Sequence, residues 1–234
     1  MERADLSAQA PAEVLGRGIR TYKPRRTRPT QRAARALQQS TDVRVAASDD
    51  LLDMATLFGA DVPVIMDIGF GDGVATAALA AADPGTGVLA VDVHTPGVGE
   101  LLARIDDQHL TNIRVIEGDA LAVLERMVAP GALAGVRTWF PDPWPKARHH
   151  KRRIVQPRVR DLVWSRLADG AFWHLATDWV DYAEQMESCL AEDSRWSGGP
   201  IARPDWRPVT RFEQRALRDG RRVTDLIYVR TPGA

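Results

Sequence analysis

Five times along this chain a short apolar run ends at an acidic residue, and each time a helical pattern follows. The first is the most constraining. Val64-Ile65-Met66-Asp67-Ile68 reads as a buried strand, breaks at Gly69-Phe70-Gly71-Asp72-Gly73, and continues into the alanine-rich stretch Val74 to Ala82. The pattern recurs from Gly87 to Val93, from Ile113 to Ile116, from Gly135 to Phe140 and from Ala171 to Ala176. Helical spacing lies between these runs, near Gly99 to Asp107, from Ala120 to Val128, from Pro157 to Leu167 and from Val180 to Glu192. Continuous apolar strands separated by helices mean a parallel sheet covered on both faces, an α/β fold. In such sheets ligands bind beyond the carboxyl ends of the strands. Asp67, Asp92, Asp119, Asp142 and Asp178 fall in or just after those ends, so all five are expected on one rim of the sheet.

A helix from Asp49 to Phe58 and a last strand from Val223 to Val229 complete the pattern. With 234 residues the chain is long enough for one such domain with a buried core. No internal repeat interrupts it. Residues 1 to about 45 lack a sustained core pattern, and no acid lies between Val14 and Thr41. Arg17, Arg20, Lys23, Arg25, Arg26, Arg28, Arg32 and Arg35 accumulate there, with Pro24 and Pro29 interrupting any helix. Residues 1–48 therefore read as a basic, flexible N-terminal arm, either a solvated tail or a phosphate-neutralising segment, and 49–234 as the folded domain. Formal net charge is zero, so only local charge points to a nucleic-acid partner. The single cysteine, Cys189, excludes an internal disulfide and fits a reducing compartment. No leader sequence and no membrane-length apolar run is evident, so a cytoplasmic protein with no membrane partner is expected. Oligomeric state, monomer or homodimer, is left open.

Gly69, Gly71 and Gly73 allow a tight strand-to-helix turn and close approach of a ligand to the backbone. A dinucleotide-binding turn has the spacing G-x-G-x-x-G, and here Val74 stands at the third glycine's place. S-adenosylmethionine has no pyrophosphate to cradle and suits this turn better than NAD. Asp92, about twenty residues on, is placed to accept hydrogen bonds from ribose hydroxyls. Asp119 can take an adenine amine. Asp67, an acid inside an apolar strand, needs a partner such as the methionine ammonium. Each acid alone reads as a helix cap or solvated group; together with the glycine turn they read as a site.

Pro141-Asp142-Pro143-Trp144 follows the fourth strand, its prolines fixing the backbone on either side of the acid. Trp144 offers a face for base stacking, or a rigid core contact. Lys146-Ala147-Arg148-His149-His150-Lys151-Arg152-Arg153 comes next, a dense cationic run suited to a phosphate backbone. The adjacent histidines lack companion ligands, so no metal is expected.

The segment Phe140 to Arg153 resembles the signature of bacterial tRNA (guanine-N7-)-methyltransferases. Asp67-Ile68-Gly69-Phe70-Gly71, Val91-Asp92-Val93-His94, Ala176-Thr177-Asp178-Trp179 and Arg207-Pro208-Val209-Thr210-Arg211-Phe212-Glu213 resemble its other blocks, in order from about residue 64 to the C-terminus. The resemblance implies a Rossmann-like class I methyltransferase fold, a mostly parallel seven-stranded sheet with helices on both faces. It implies methylation of guanosine 46 in the variable loop of tRNA, with S-adenosylmethionine as donor. It implies cofactor contacts by Asp67, Gly69, Gly71, Gly73, Asp92, Asp119 and Asp142, with Asp142 catalytic. It implies substrate contacts by Lys146, Asp178, Thr210, Arg211, Phe212 and Glu213, and RNA contacts by Arg148, His149, His150, Lys151, Arg152 and Arg153. Asp67 and Asp92 stand where the family usually has Glu; the charge is kept and the reach is one methylene shorter.

Guanine N7 carries a lone pair and no proton, so such an enzyme chiefly aligns the reacting atoms. Asp142 or Asp178, with Glu213 assisting, is placed to accept from guanine N1–H and its amine. Three other readings compete. Asp142-Pro143-Trp144 distantly resembles the loop of amino-group methyltransferases, but lacks that loop's second proline. A NAD-dependent oxidoreductase is opposed by the glycine spacing. A non-enzymatic RNA-binding protein needs no rim acids.

Overall fold

The computed structural model describes residues 21–23 and 27–233. Seven strands form one sheet in the order β3-β2-β1-β4-β5-β7-β6. They are β1 (Val64–Ile68), β2 (Gly87–Asp92), β3 (Ile113–Glu117), β4 (Leu133–Trp139), β5 (Leu167–Thr177), β6 (Trp196–Ile201) and β7 (Thr224–Arg230). β1 to β5 pair in parallel; β7 runs antiparallel to both β5 and β6. The chain winds outward from β1 through β2 to β3, then returns to lay β4 on the other side of β1. That reversal, between β1 and β4, is where an open parallel sheet leaves a crevice.

The helices are α1 (Gln31–Gln39), α2 (Met54–Phe58), α3 (Val74–Ala82), α4 (Thr95–Gln108), α5 (Ala120–Arg126), α6 (Pro157–Arg166), α7 (Val180–Ala191) and α8 (Arg211–Arg218). Successive side chains of a strand point to opposite faces. Val64, Met66 and Ile68 of β1 enter the core that includes Val123, Val163 and Met186 from α5, α6 and α7. Val88 and Ala90 of β2 enter a second core with Ala77 of α3, Leu101 of α4 and Ala36 of α1. Both faces of the sheet are thus covered, and all five residues of β1 are buried.

Local chemistry sets the element the site depends on. α3 starts at Gly73, whose φ of 71° is open to glycine and strained for other residues. A β-carbon there would lie 2.6 Å from Cβ of Leu101, so the turn and α4 fit only because Gly73 has no side chain. Alanine-rich sequence, a strong helix former, then carries α3 forward.

Five elements depart from the sequence reading, one of them β5, which begins at Leu167 and not at Ala171. α1 forms inside the stretch that lacks a sustained core pattern: Ala33 and Ala36 are buried, and Gly99 of α4 admits the backbone of Ala33 where a β-carbon would stand 2.7 Å from its oxygen. Arg32 spans Glu100 at 3.0 Å and Asp107 at 2.5 Å, and Ser40 donates to Asp106 at 2.5 Å, so acids of α4 hold the basic helix. Arg17, Arg20, Pro24, Arg25 and Arg26 of the arm lie outside the described residues. α2 starts at Met54, after Asp53 accepts from Thr56 N–H at 3.1 Å, not at Asp49. β6 and α8 have no counterpart in the sequence reading. β6 is an edge strand with only Trp196 buried, its Pro200 tolerated at an edge. α8 buries only Glu213 and Ala216. No described helix is long and apolar enough to cross a membrane.

Candidate active site

The glycine turn doubles back three times, with φ of 73°, 66° and 71° at Gly69, Gly71 and Gly73. The end of β2 braces it. Asp92 accepts from the N–H of Gly71 and of His94, both at 2.9 Å. Burial raises the pKa of this carboxyl, and the two N–H donors work against that rise. Asp119 caps α5, accepting from Leu121 N–H at 2.9 Å. Asp142 accepts from the main-chain N–H of Lys23 at 2.8 Å. Phe140 and Trp144, on either side of it, have φ of 53° and 45°. Left-handed backbone at two bulky residues is strained, and such strain is held where surrounding structure fixes a loop.

Asp92, Asp119 and Asp142 line one cavity of about 660 Å³ together with Gly69, Gly71 and Phe212. That volume suits a small-molecule cofactor. Thr21, Tyr22 and Lys23 of the N-terminal segment also line it. Sequence reasoning missed Glu117, Met127 and Ile154 among its walls. Glu117 takes the Thr95 hydroxyl in a short hydrogen bond. Ala120, Val123 and Met127 recur at helical spacing and give the cavity an apolar side; that spacing is visible in the sequence but reads equally as core.

Asp67 is placed differently. It is 4% exposed and faces a second cavity of about 660 Å³ behind the glycine turn. Its carboxylate accepts from Thr76 Oγ1 at 2.6 Å, and Arg137 sits across from it in the β1–β4 register. Burial pushes the Asp67 carboxyl up and the Arg137 guanidinium down, while each draws the other back toward its charged form. The partner that Asp67 needs is therefore supplied by the protein. Asp178, a sixth exposed, is tied to Arg221 by a short ion pair.

The basic run makes a 3-10 turn over Ala147–Arg152. Lys146, Arg148 and Lys151 are exposed; His149, His150 and Arg152 are half-buried. Arg153 departs from its neighbours and from the surface contact expected of it. It is 2% exposed and donates to Pro143 O at 2.9 Å, Gln185 at 2.9 Å and Asp181 at 2.6 Å. It clamps the Asp142 loop to α7. Trp144, which the sequence offers as a stacking platform, is also buried, its indole N–H donating to Thr21 O at 2.9 Å and its ring covered by Lys23 and Arg152. The exposed aromatic at the rim is Phe212, 42% exposed and stacked on Phe140 with centroids 6.5 Å apart.

Thr210 caps α8, accepting from Glu213 N–H at 3.2 Å. Arg211 is exposed and lies 3.6 Å from Asp72. Glu213 points inward. Its oxygens meet Arg203 at 2.7 Å and both amino groups of Arg207 at 2.8 and 2.9 Å. Arg207 also meets Asp225, and Asp225 bonds His174 at 2.9 Å. Burial lowers the His174 pKa, and the bond to Asp225 works against that fall. Glu213 thus has no free oxygen edge for a base. Among the described residues no group of three or more acids, histidines or cysteines is placed to hold a metal.

Residues 61–226 match the family described as "Putative methyltransferase". A tRNA (guanine-N(7)-)-methyltransferase of Streptomyces coelicolor is 50% identical over 221 residues, 92% of this chain and 82% of the relative. One of Acidovorax sp. is 44% identical over 229 residues, 96% and 91% of the two chains. Among solved structures, the 16S rRNA methyltransferase KamB superposes with a TM-score of 0.58 at 18% identity, over 78% of this chain and 95% of that one, and shares the fold. With its glycine turn, strand-end acids and Phe140–Arg153 signature in that context, the chain belongs to the tRNA (guanine-N7-)-methyltransferase family.

Proposed function

We propose that this protein transfers a methyl group from S-adenosylmethionine to N7 of guanosine 46 in the variable loop of tRNA, in the cytoplasm. The observation that carries the reading is the convergence of Asp92, Asp119 and Asp142 on one cavity beside the glycine turn, with the basic turn Ala147–Arg152 directly following the Asp142 loop.

The residues present fit the cofactor. Asp92, held by two backbone N–H groups, would accept from the ribose diol, Asp119 would take the adenine amine, and Ala120, Val123 and Met127 would give the purine an apolar wall. Gly69 and Gly71 leave the backbone bare beside it. When bound, the cofactor supplies a sulfonium-activated methyl group. The chain's own task is orientation, since N7 needs no deprotonation. Asp142 accepts from the guanine edge and stabilises the purine as it becomes cationic. In the described chain the Lys23 N–H holds that carboxylate, so the base and the N-terminal segment compete for one acceptor. Thr210 and Phe212 form the facing rim, and Asp178, held by Arg221, stands as the second acceptor. Lys146, Arg148, His149, His150, Lys151 and Arg152 bind phosphate. Within residues 1–48, the cations outside α1 act as a basic arm adding phosphate contacts, α1 itself being held on α4 as part of the folded domain. Asp67, Arg153 and Glu213 act by positioning: Asp67 under the glycine turn, Arg153 under the Asp142 loop, Glu213 under α8.

The test is incubation of the full chain with unmodified tRNA and methyl-labelled cofactor, followed by nucleoside mass spectrometry and position mapping. Label in 7-methylguanosine at position 46 is expected. Label on an amino group, at another nucleotide, or on no nucleoside overturns the assignment.

A further inference from the structure

The second cavity, behind the glycine turn, has a chemistry that the methyl-transfer site does not use. Arg28, Arg104, Arg211, Arg215 and Arg218 all line it. Three belong to α8 at positions i, i+4 and i+7, one stripe of the helix, which is a face α8 does not bury. The acids in the cavity are already matched. Asp67 takes the Thr76 hydroxyl inside the sheet, with Arg137 across from it in the β1–β4 register. Asp72 faces Arg211. Glu100 takes Arg32 and the Thr30 hydroxyl. Three of the five cations are not matched by these acids: Arg28 and Arg218 have no ion-pair partner among the described residues, and Arg215 reaches Asp219 only at 3.9 Å. A concave surface with surplus guanidinium groups is complementary to phosphate.

Its position says which phosphate. Gly69, Gly71, His94, Phe140 and Phe212 are walls of both cavities, so the two meet at the rim where Asp142 and Phe212 stand. A polynucleotide whose base enters beside Asp142 carries its next phosphates past Phe212 toward the α8 stripe. Resting on the tRNA reading above, we infer that the second cavity is a backbone cradle for the RNA strand flanking the methylated nucleotide, with Arg215 and Arg218 as its phosphate contacts. This adds a second basic surface, contributed by α8, to the Ala147–Arg152 turn.

The test is tRNA affinity of the full chain and of R215A/R218A across a series of salt concentrations, with S-adenosylmethionine affinity and melting temperature measured alongside. Both side chains are exposed, so the melting temperature should not move. Two lost phosphate contacts should raise the tRNA Kd roughly ten- to fifty-fold at low salt and reduce the slope of log K against log salt by about 1.5. R218A alone should give about half that change in slope. An unchanged slope overturns the cradle. So does weaker cofactor binding with normal tRNA binding, which makes the arginines partners of the methionine carboxylate. Wild-type protein that binds tRNA with the expected salt slopes yet labels no N7 position sinks the proposed reaction and leaves the cradle standing.

Discussion

Replacing Arg207 by Met should unfold this protein more readily than any surface charge change. Arg207 is 1% exposed and is the hub of a buried cluster. Its two amino groups bond the two Glu213 oxygens at 2.8 and 2.9 Å, and one also reaches Asp225 Oδ2 at 3.1 Å. Arg203 adds a second cation to Glu213, and His174 bonds Asp225. The cluster therefore balances two arginines against two carboxylates. Removing Arg207 leaves Asp225 with only an imidazole and Glu213 with only the part-exposed Arg203. Breaking a buried pair from one side costs about 3–5 kcal/mol, because a charge stays behind without its partner. For a chain of this size that is a fall in melting temperature of roughly 6–20 °C. The assay is urea unfolding followed by tryptophan fluorescence, with Trp139 and Trp206 both packed on His174 as reporters. Arg207→Lys keeps the charge without the two-pronged geometry and should recover part of the loss. The Arg207→Met protein should also lose turnover in proportion to the displacement of Phe212, which α8 carries. A destabilisation under about 1 kcal/mol, the range of exposed pairs, would refute the reasoning by showing the cluster to be solvated.

Asp142→Asn should cut methyl transfer about a hundredfold or more while leaving cofactor affinity within a few-fold; single-turnover transfer of labelled methyl measures it, and near-normal turnover removes Asp142 from the chemistry. The Asp92 carboxyl must be ionised to accept from a ribose diol, and burial raises its pKa, so cofactor affinity should strengthen as pH rises through that elevated value and fall below it. Calorimetric titration of wild type and Asp92→Asn checks this, the variant being expected to lose the pH dependence. Asp193 is held down at about 2 by hydrogen bonds from Arg195, against an ordinary 3.8. A depressed acid stabilises the folded state above its ordinary value and loses that contribution as pH falls from about 3.8 to about 2, an effect of about 1–2 kcal/mol after allowing for solvent screening. Unfolding free energies measured through that window should converge for wild type and Asp193→Asn, and parallel curves would reject the assignment.

How much is legible in the sequence follows from where each residue's partners lie along the chain. β1 and α3 can be read to their observed ends, Val64–Ile68 and Val74–Ala82, because burial on both faces and the glycine turn are signals internal to those residues. Strand register brings three of the five strand-end acids, Asp92, Asp119 and Asp142, to one cavity, whereas Asp67 turns to the second cavity and Asp178 to Arg221, partners the sequence pattern does not show. β6 carries no such signal, since an exposed edge strand with Gly198, Gly199 and Pro200 has nothing apolar to repeat. α8 is a charged helix whose anchor, Glu213, is chosen by Arg203 and Arg207 outside the helix. α1 is held by two alanines and by acids some seventy residues away on α4. The basic run makes the same point within one segment. Arg152 and Arg153 are adjacent and chemically identical, yet one lies over Trp144 and the other is sealed against Pro143, Gln185 and Asp181. Composition marks the segment as cationic, but only the arrival of α7 decides which cation is spent on holding the loop and which are left to meet phosphate. Residue type at this rim is thus a guide to chemistry, and burial is what separates the cations left open to solvent from the one that holds the loop in place.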